Sequence, residues 1–140
     1  MVRSHSAAPP ETVWPLIAEA RRWKEWSFLD HTALERDGSP DADGVGAVRR
    51  FTRHGVGSRE EVVAWEPPRH LGYTIISGFP VRNYRADVLL EAAGSGTDIS
   101  WSVRFDEPLP GTGALVTIVL RGIVNGFAEG VARYAERSTG

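Results

Sequence analysis

The 140-residue sequence contains no cysteine, which excludes disulfide bonds, thiolate metal sites and cysteine nucleophiles. It also lacks a basic surplus, because 16 Lys and Arg residues against 18 Asp and Glu residues give a net charge of −2. This balance argues against general binding to nucleic acid or to an anionic membrane surface. No apolar run approaches the ~20 residues of a membrane span, and the N-terminus lacks the apolar core of a signal peptide. We therefore expect a soluble, cytoplasmic protein.

Motifs for metal and nucleotide chemistry are also missing. The four histidines, His5, His31, His54 and His70, are scattered and show no His-Glu-x-x-His spacing. There is no Gly-x-Ser-x-Gly elbow, phosphate-binding loop or dinucleotide fingerprint. The sequence therefore predicts a protein without a metal or a cofactor.

The chain has the length of one domain and shows no repeat or linker, so we expect a single domain over residues 1–140. Two short helices are predicted early, one starting at residues 8–11 and one over 21–26. Strand-type segments then occupy 46–54, 59–66, 71–78, 82–91 and 97–106. The intervals between them are too short for helical crossovers, which indicates antiparallel hairpins. After a turn at 108–111, helical periodicity continues to about Arg137 and predicts one long helix.

This order, together with particular segments, resembles the START-like helix-grip superfamily (SRPBCC), in particular its polyketide cyclase/dehydrase branch. The segments that carry the resemblance are APPETVW at 8–14, WKEW at 23–26, GAVR at 46–49, REEV at 59–62, EPPRHL at 66–71, YTI at 73–75, GT at 96–97 and Trp101. The resemblance implies an α+β, Bet v 1-like fold. In it, a curved antiparallel sheet wraps around the long C-terminal helix, with two short helices after the first strand and an internal cavity. Members of the superfamily bind lipids or polyketides, cyclise aromatic precursors or assist chaperones, so fold alone does not settle function.

Three glycines on the last helix support a cavity independently. Gly122, Gly126 and Gly130 lie four residues apart, and each costs about 1 kcal/mol relative to alanine in a helix interior. Either the missing side chains leave volume for a ligand, or they allow close backbone approach. We expect Ile118, Gly122, Asn125 and Gly126 to face the ligand, although Asn125 could equally lie in solvent.

Charged residues of the predicted 46–54 and 59–66 hairpin provide candidate chemistry. A turn at Val56-Gly57 would place Arg53 opposite Glu60 and Phe51 opposite Val62. If Phe51 and Val62 point inward, alternation carries Arg49, Arg53 and Glu60 to the same concave side. An arginine there could hold a carboxylate or enolate oxygen, and Glu60 could act as a base. The alternative is a structural Arg53–Glu60 ion pair.

Aromatic residues supply further candidates for the lining of the cavity. Tyr73 and Tyr84 either donate hydrogen bonds to a ligand oxygen or only pack, and Trp101 is expected mainly to pack. Trp26 and Phe28 either plug the domain beneath the short helices or form a lid over the pocket. The segment 77–83 forms either part of the cavity rim or only a hairpin tip.

The leading functional prediction is a polyketide cyclase-like enzyme. It would bind a hydrophobic oxygenated molecule and catalyse cyclisation or dehydration without a cofactor. Arg49, Arg53 and Tyr73 would polarise oxygens, and Glu60 would move protons. Ligand contacts are expected from Trp26, Phe28, Phe51, Val62, Tyr84, Trp101, Ile118, Gly122, Asn125 and Gly126.

Two other functions remain open from the sequence. The first is a non-enzymatic carrier or sensor of a lipid or hydrophobic metabolite, and the second is an interaction module with an exposed apolar patch. Val63 and Trp65 are expected on the outer face of the sheet, where they could support a homodimer.

Overall fold

The computed structural model describes residues 1–106 and 109–139, and side chains up to Ser138 in the last helix. Of the predicted turn at 108–111, Pro108 lies outside these residues. A 3-10 turn at Ala20–Arg22 separates the first two helices. The elements in chain order are β1 (Val2–Ser6), α1 (Pro10–Ala18), α2 (Trp23–Trp26), β2 (His31–Arg36), β3 (Val48–Arg53), β4 (Val56–Glu66), β5 (His70–Ser77), β6 (Arg82–Ala93), β7 (Gly96–Asp106) and α3 (Gly113–Thr139).

The seven strands form one antiparallel sheet in the order β1-β7-β6-β5-β4-β3-β2. Strands β2 to β7 follow one another as neighbours, and β1 pairs with β7 at the far edge. This curved sheet, the two short helices after β1 and the long α3 confirm the predicted helix-grip architecture. Periodicity predicted ranges for the last five strands only. A first strand was expected before the helices as part of the fold, and β2 was not predicted, because its segment lacks clean alternation.

Helix α3 is held against the sheet and α1 along its C-terminal half. Its Ala128, Val131, Ala132 and Ala135 are buried. The hydroxyls of Ser4 and Ser6 on β1 donate hydrogen bonds to the carbonyls of Ala128 and Ala132, at 2.9 and 2.8 Å. By length and composition α3 is apolar enough to cross a membrane, but these contacts make it the core helix of the fold.

The β3–β4 hairpin turns two residues earlier than the sequence predicted. Arg53 pairs with Val56, and the two loop residues His54 and Gly55 both have positive φ, at 51° and 79°. This conformation is typical of a type I′ turn, whose twist matches that of the flanking strands. Arg49 therefore lies opposite Glu60, and the predicted pairing of Arg53 with Glu60 is wrong.

A β-bulge in β4 changes the side of the sheet that Trp65 faces. The register shifts between Val62 and Ala64, so that Val63 is the extra residue. Trp65 consequently turns to the core side, where its ring lies 5.2 Å from the ring of Trp14 in an edge-on arrangement. The prediction that Trp65 lies with Val63 on the outer face is wrong.

The C-terminal end of α1 is closed by tryptophan side chains. Carbonyls in the last turn of a helix have no partner within that helix and need other donors. The indole N–H of Trp23 donates to the carbonyl of Ile17 at 2.8 Å, and that of Trp26 donates to the carbonyl of Leu16 at 2.9 Å. Both tryptophans are buried and belong to the hydrophobic core beneath the short helices.

Candidate functional site

A cavity of ≈510 Å³ lies between the sheet and the N-terminal half of α3. This volume falls in the range of small-molecule binding sites. Its walls come from the β3–β4 hairpin, β5, β6, the β5–β6 loop, the segment after α2, and α3. The lining residues are Phe28, Leu29, Phe51, Arg53, His54, Val56, Gly57, Ser58, Glu60, Tyr73, Ile75, Gly78, Phe79, Tyr84, Leu120, Ile123, Val124 and Phe127.

The face of α3 that roofs the cavity differs from the predicted one. Leu120, Ile123, Val124 and Phe127 line it, in the i, i+3, i+4, i+7 spacing of one helical stripe. Residues of the other side are exposed, so the prediction that they contact the ligand is wrong. These residues are Ile118, Gly122, Asn125 and Gly126.

The helix glycines do not create the cavity. A Cβ atom built at Gly122 or Gly126 meets nothing within 4 Å, because both residues face away from the protein. A Cβ atom at Gly130 would lie 2.3 Å from the carbonyl oxygen of Trp26. Close backbone approach therefore explains Gly130, and the structure gives no packing reason for the other two.

A buried ion pair lies beside the floor of the cavity. Nη2 of Arg49 donates to Oε1 of Glu60 at 2.9 Å. The Arg49 side chain is 0% exposed, and its guanidinium carbon lies 4.9–5.0 Å from the ring centroids of Trp23, Phe51 and Tyr73. Aromatic faces attract a cation at such distances. Arg49 is thus enclosed by rings and does not line the cavity, so the prediction that it polarises a ligand oxygen directly is wrong.

Glu60, unlike Arg49, faces the cavity. Its Oε2 accepts a long hydrogen bond of 3.4 Å from the hydroxyl of Ser58, which also lines the site. Burial raises the pKa of the Glu60 carboxyl above its ordinary value, and the Arg49 guanidinium opposes this rise. A carboxylate whose pKa is raised is a stronger base, so Glu60 is suited to accept a proton from a bound molecule.

Two phenols lie close to Glu60 in the cavity wall. The rings of Tyr73 and Tyr84 are 6.4 Å apart, and both line the site. The Tyr73 hydroxyl accepts a hydrogen bond from the indole N–H of Trp101 at 3.2 Å, which leaves its own proton free to be donated. Burial raises the pKa of both tyrosines, so they stay protonated donors.

Arg53 and Phe28 lie at the mouth of the cavity. Arg53 ends β3 on the cavity face, and its Nη1 donates to the backbone carbonyl of Phe28. The Phe28 ring is 43% exposed and stacks on Phe127 of α3, with centroids 5.4 Å apart and planes at 1°. From the β5–β6 loop, Gly78 and Phe79 also contribute, so the predicted role of segment 77–83 in the rim matches its position.

Three other predicted ligand contacts belong to the core instead. Trp26, Val62 and Trp101 are buried and do not line the cavity. Trp26 is tied to α1, Val62 precedes the bulge in β4, and Trp101 packs on Trp23 and Phe127.

Sequence reasoning also missed several lining residues. Leu29, Ile75 and the α3 stripe at 120–127 are ordinary apolar residues, and the helical period alone could have grouped those of α3. Within residues 1–106 and 109–139, no cluster of three His, Asp or Glu side chains has the arrangement of a metal site.

The family model described as "Polyketide cyclase / dehydrase and lipid transport" matches residues 2–136. The chain belongs to this family. No functionally curated protein matches the chain in sequence. The family includes both polyketide cyclases or dehydrases and lipid-transport proteins. Membership is therefore consistent with a hydrophobic ligand but does not identify one reaction.

Solved structures share the fold of this chain. The protein XoxI from Bacillus cereus has 20% identity and a TM-score of 0.77, covering 95% of this chain and 92% of that chain. A structure from Thermobifida fusca has 25% identity and a TM-score of 0.72, covering 94% and 91%. A norcoclaurine synthase point mutant from Thalictrum flavum, in complex with a transition-state analogue, has 14% identity and a TM-score of 0.72, covering 99% and 94%. These likenesses concern the fold.

Proposed function

We propose that this protein binds a hydrophobic oxygenated small molecule in the 510 Å³ cavity and catalyses a cofactor-independent proton transfer that leads to cyclisation or dehydration. The observation that carries the proposal is the Glu60 carboxylate. It lies in the floor of an otherwise mainly apolar cavity and is held from behind by Arg49. Family membership over residues 2–136 supports the same class of ligand.

The proposed step begins with a ketone whose α-carbon lies against Glu60. The carboxylate removes an α-proton and becomes a carboxylic acid, while the electron pair of the C–H bond forms an enolate. Tyr84 or Tyr73 donates a hydrogen bond to the enolate oxygen. The enolate carbon then attacks a second carbonyl of the same molecule and forms a carbon–carbon bond. Glu60 returns its proton to the resulting alkoxide, and loss of water from that alcohol gives a dehydrated product.

Arg49 is a positioning residue in this scheme. It touches no ligand, but its hydrogen bond fixes the Glu60 carboxylate and its charge favours the ionised form. An Arg49→Lys variant should retain part of the activity and shift the pH–rate profile to higher pH, because a weaker ion pair lets burial raise the pKa of Glu60 further. A purely structural role would change stability without moving that profile.

The experiment follows deuterium exchange at the α-carbon of 2-undecanone in D₂O by NMR. General-base catalysis contributes about 10²–10⁴-fold, so Glu60→Gln should slow exchange by that factor. Glu61→Gln is the matched control, because Glu61 is the next residue on β4 and pairs with Arg36 at 3.4 Å outside the cavity. Unchanged exchange in Glu60→Gln would contradict the assignment of Glu60 as the base.

A non-enzymatic carrier or sensor is the second candidate. The predominance of apolar lining residues favours it, since a carrier needs burial of the ligand and no poised proton donor or acceptor. The same experiment separates the two. Binding of 2-undecanone to the wild-type protein without faster exchange, and equal binding to Glu60→Gln, would favour the carrier.

A further inference from the structure

Arg53 lies at the mouth of the cavity, where the residue is exposed. Its Nη1 donates to the Phe28 carbonyl, which ties the guanidinium to the rim. A guanidinium has five N–H donors, so most of its donors remain available after this bond. Arg53 lines the cavity. Arg49, which lies four residues earlier on the same face of β3, does not.

The charge of Arg53 has no acidic partner among residues 1–106 and 109–139. In the described part of the chain, no carboxylate oxygen lies within 4 Å of its nitrogens, whereas Arg49, Arg59 and Arg85 have such partners. Asp30 is near this hairpin, but its Oδ2 accepts the backbone N–H of His54 at 2.8 Å and lies 3.5 Å from the His54 ring. The mouth of an apolar cavity thus carries a cation that is free to pair with a ligand.

The separation between Arg53 and Glu60 sets the length of a ligand that reaches both. Glu60 lies directly opposite Arg49, which is four residues from Arg53 along β3. Four residues of an extended strand span about 13 Å. With carbon–carbon bonds of about 1.5 Å, an extended chain of about ten carbon atoms covers that length. The wall between the two groups is apolar, with Phe51 on the strand itself.

We infer that the ligand is a hydrophobic carboxylic acid that binds with its carboxylate at Arg53 and its chain inside the cavity. A planar carboxylate matches the fork of donors on a guanidinium. This orientation places the carbons at the far end of the chain beside Glu60. The inference rests on the proposed function and adds to it the charged end of the substrate and the direction in which it enters.

The test uses matched ligands of one chain length, decanoate and decan-1-ol, at pH 8. Each ligand competes with N-phenyl-1-naphthylamine, an uncharged fluorescent probe of apolar cavities. Ion pairs at exposed positions contribute up to about fivefold in affinity. The wild-type protein should therefore bind decanoate about two- to fivefold more tightly than decan-1-ol, and Arg53→Gln should lose this preference while still binding the alcohol.

Arg50→Gln is the matched control, because Arg50 lies on the same strand, three residues from Arg53 and on the opposite face of β3. It should keep the preference for decanoate. The inference is overturned if the alcohol binds as tightly as the acid, or if Arg53→Gln keeps the preference. In both cases the cavity still binds hydrophobic molecules and the proposed function stands. If neither the probe nor the ligands bind to the wild-type protein, the proposed function itself fails.

Discussion

The two halves of α3 differ in packing, because one lies directly against the sheet and the other faces a cavity. In the C-terminal half, small residues such as Ala128 and Ala132 let the helix lie against β1, and two serine hydroxyls bond to its carbonyls. In the N-terminal half, Leu120 and Phe127 face the sheet across a cavity of ≈510 Å³. We call these the closed end and the open end of the grip. Residue size along one helix thus decides where the fold is packed and where it stays open.

The ion pair between Arg49 and Glu60 lies beside the open end, and breaking it should have the largest effect. Arg49→Met leaves a buried carboxylate without its partner, which costs about 3–5 kcal/mol in the free energy of unfolding. Urea denaturation measures this loss. The double variant Arg49→Met, Glu60→Gln removes both charges and should recover most of it. Equal losses in the single and double variants would contradict the pairing as the source of the effect.

Alanine substitutions at two helix glycines sharpen the comparison within α3. At Gly130, in the closed end, a new Cβ atom would collide with the Trp26 carbonyl, and overpacking costs about 1–3 kcal/mol. At Gly126 a Cβ atom meets no neighbour, so Gly126→Ala should add about 1 kcal/mol through helix propensity. Thermal unfolding of the two variants should therefore shift in opposite directions. Shifts of the same sign would refute this difference between the glycines.

The smallest expected effect is a pH dependence of stability at His70, which lies outside both ends of the grip. Burial lowers the pKa of His70, but hydrogen bonds to Asp87 at 2.7 Å and Glu66 at 2.9 Å outweigh it and raise the pKa overall. A raised folded-state pKa gives stability that is complete below the unfolded value of 6.5 and is lost as pH rises through the folded value. Both ion pairs are partly exposed, so the gain should stay below about 1 kcal/mol.

The measurement for His70 compares urea unfolding of the wild-type protein and His70→Gln across the range from pH 5.5 to 9. The advantage of the wild-type protein over the variant should shrink as pH rises. Binding of the naphthylamine probe should not change, because His70 does not line the cavity. A constant difference in stability across this range would show that His70 does not titrate as described.

Most of the architecture follows from sequence periodicity, because strand alternation and helical period depend on local residues. Phe51, Arg53 and Glu60 lie on the cavity side of the sheet as predicted, although the turn lies two residues earlier than predicted. A shift of the turn by two residues leaves each side chain on the same side of the sheet. The bulge at Val63 reversed the side of Trp65, and no local pattern marks that extra residue. One-residue irregularities therefore limit what alternation can predict.

The site was predicted less completely than the fold. Glu60, Arg53, Tyr73 and Tyr84 line the cavity as expected, but Arg49 does not, because three aromatic rings enclose it. Sequence order cannot reveal such an enclosure, which is built from residues of different elements. On α3 the glycines suggested the wrong stripe of the helix. A glycine is found both beside an internal cavity and on a solvent-exposed face, so the residue type alone does not distinguish the two.

The most direct test of the account is whether the open end of the grip binds ligand. Ile123→Trp fills the cavity from the roof, whereas Ile118→Trp places the same side chain on the exposed side of α3, where Ile118 is 69% exposed. Titration with N-phenyl-1-naphthylamine should show that Ile123→Trp lowers the affinity at least about tenfold, which corresponds to about 1.4 kcal/mol in binding free energy. The affinity of Ile118→Trp should be unchanged. Equal affinity in both variants, with both folded by circular dichroism, would contradict the cavity as the binding site.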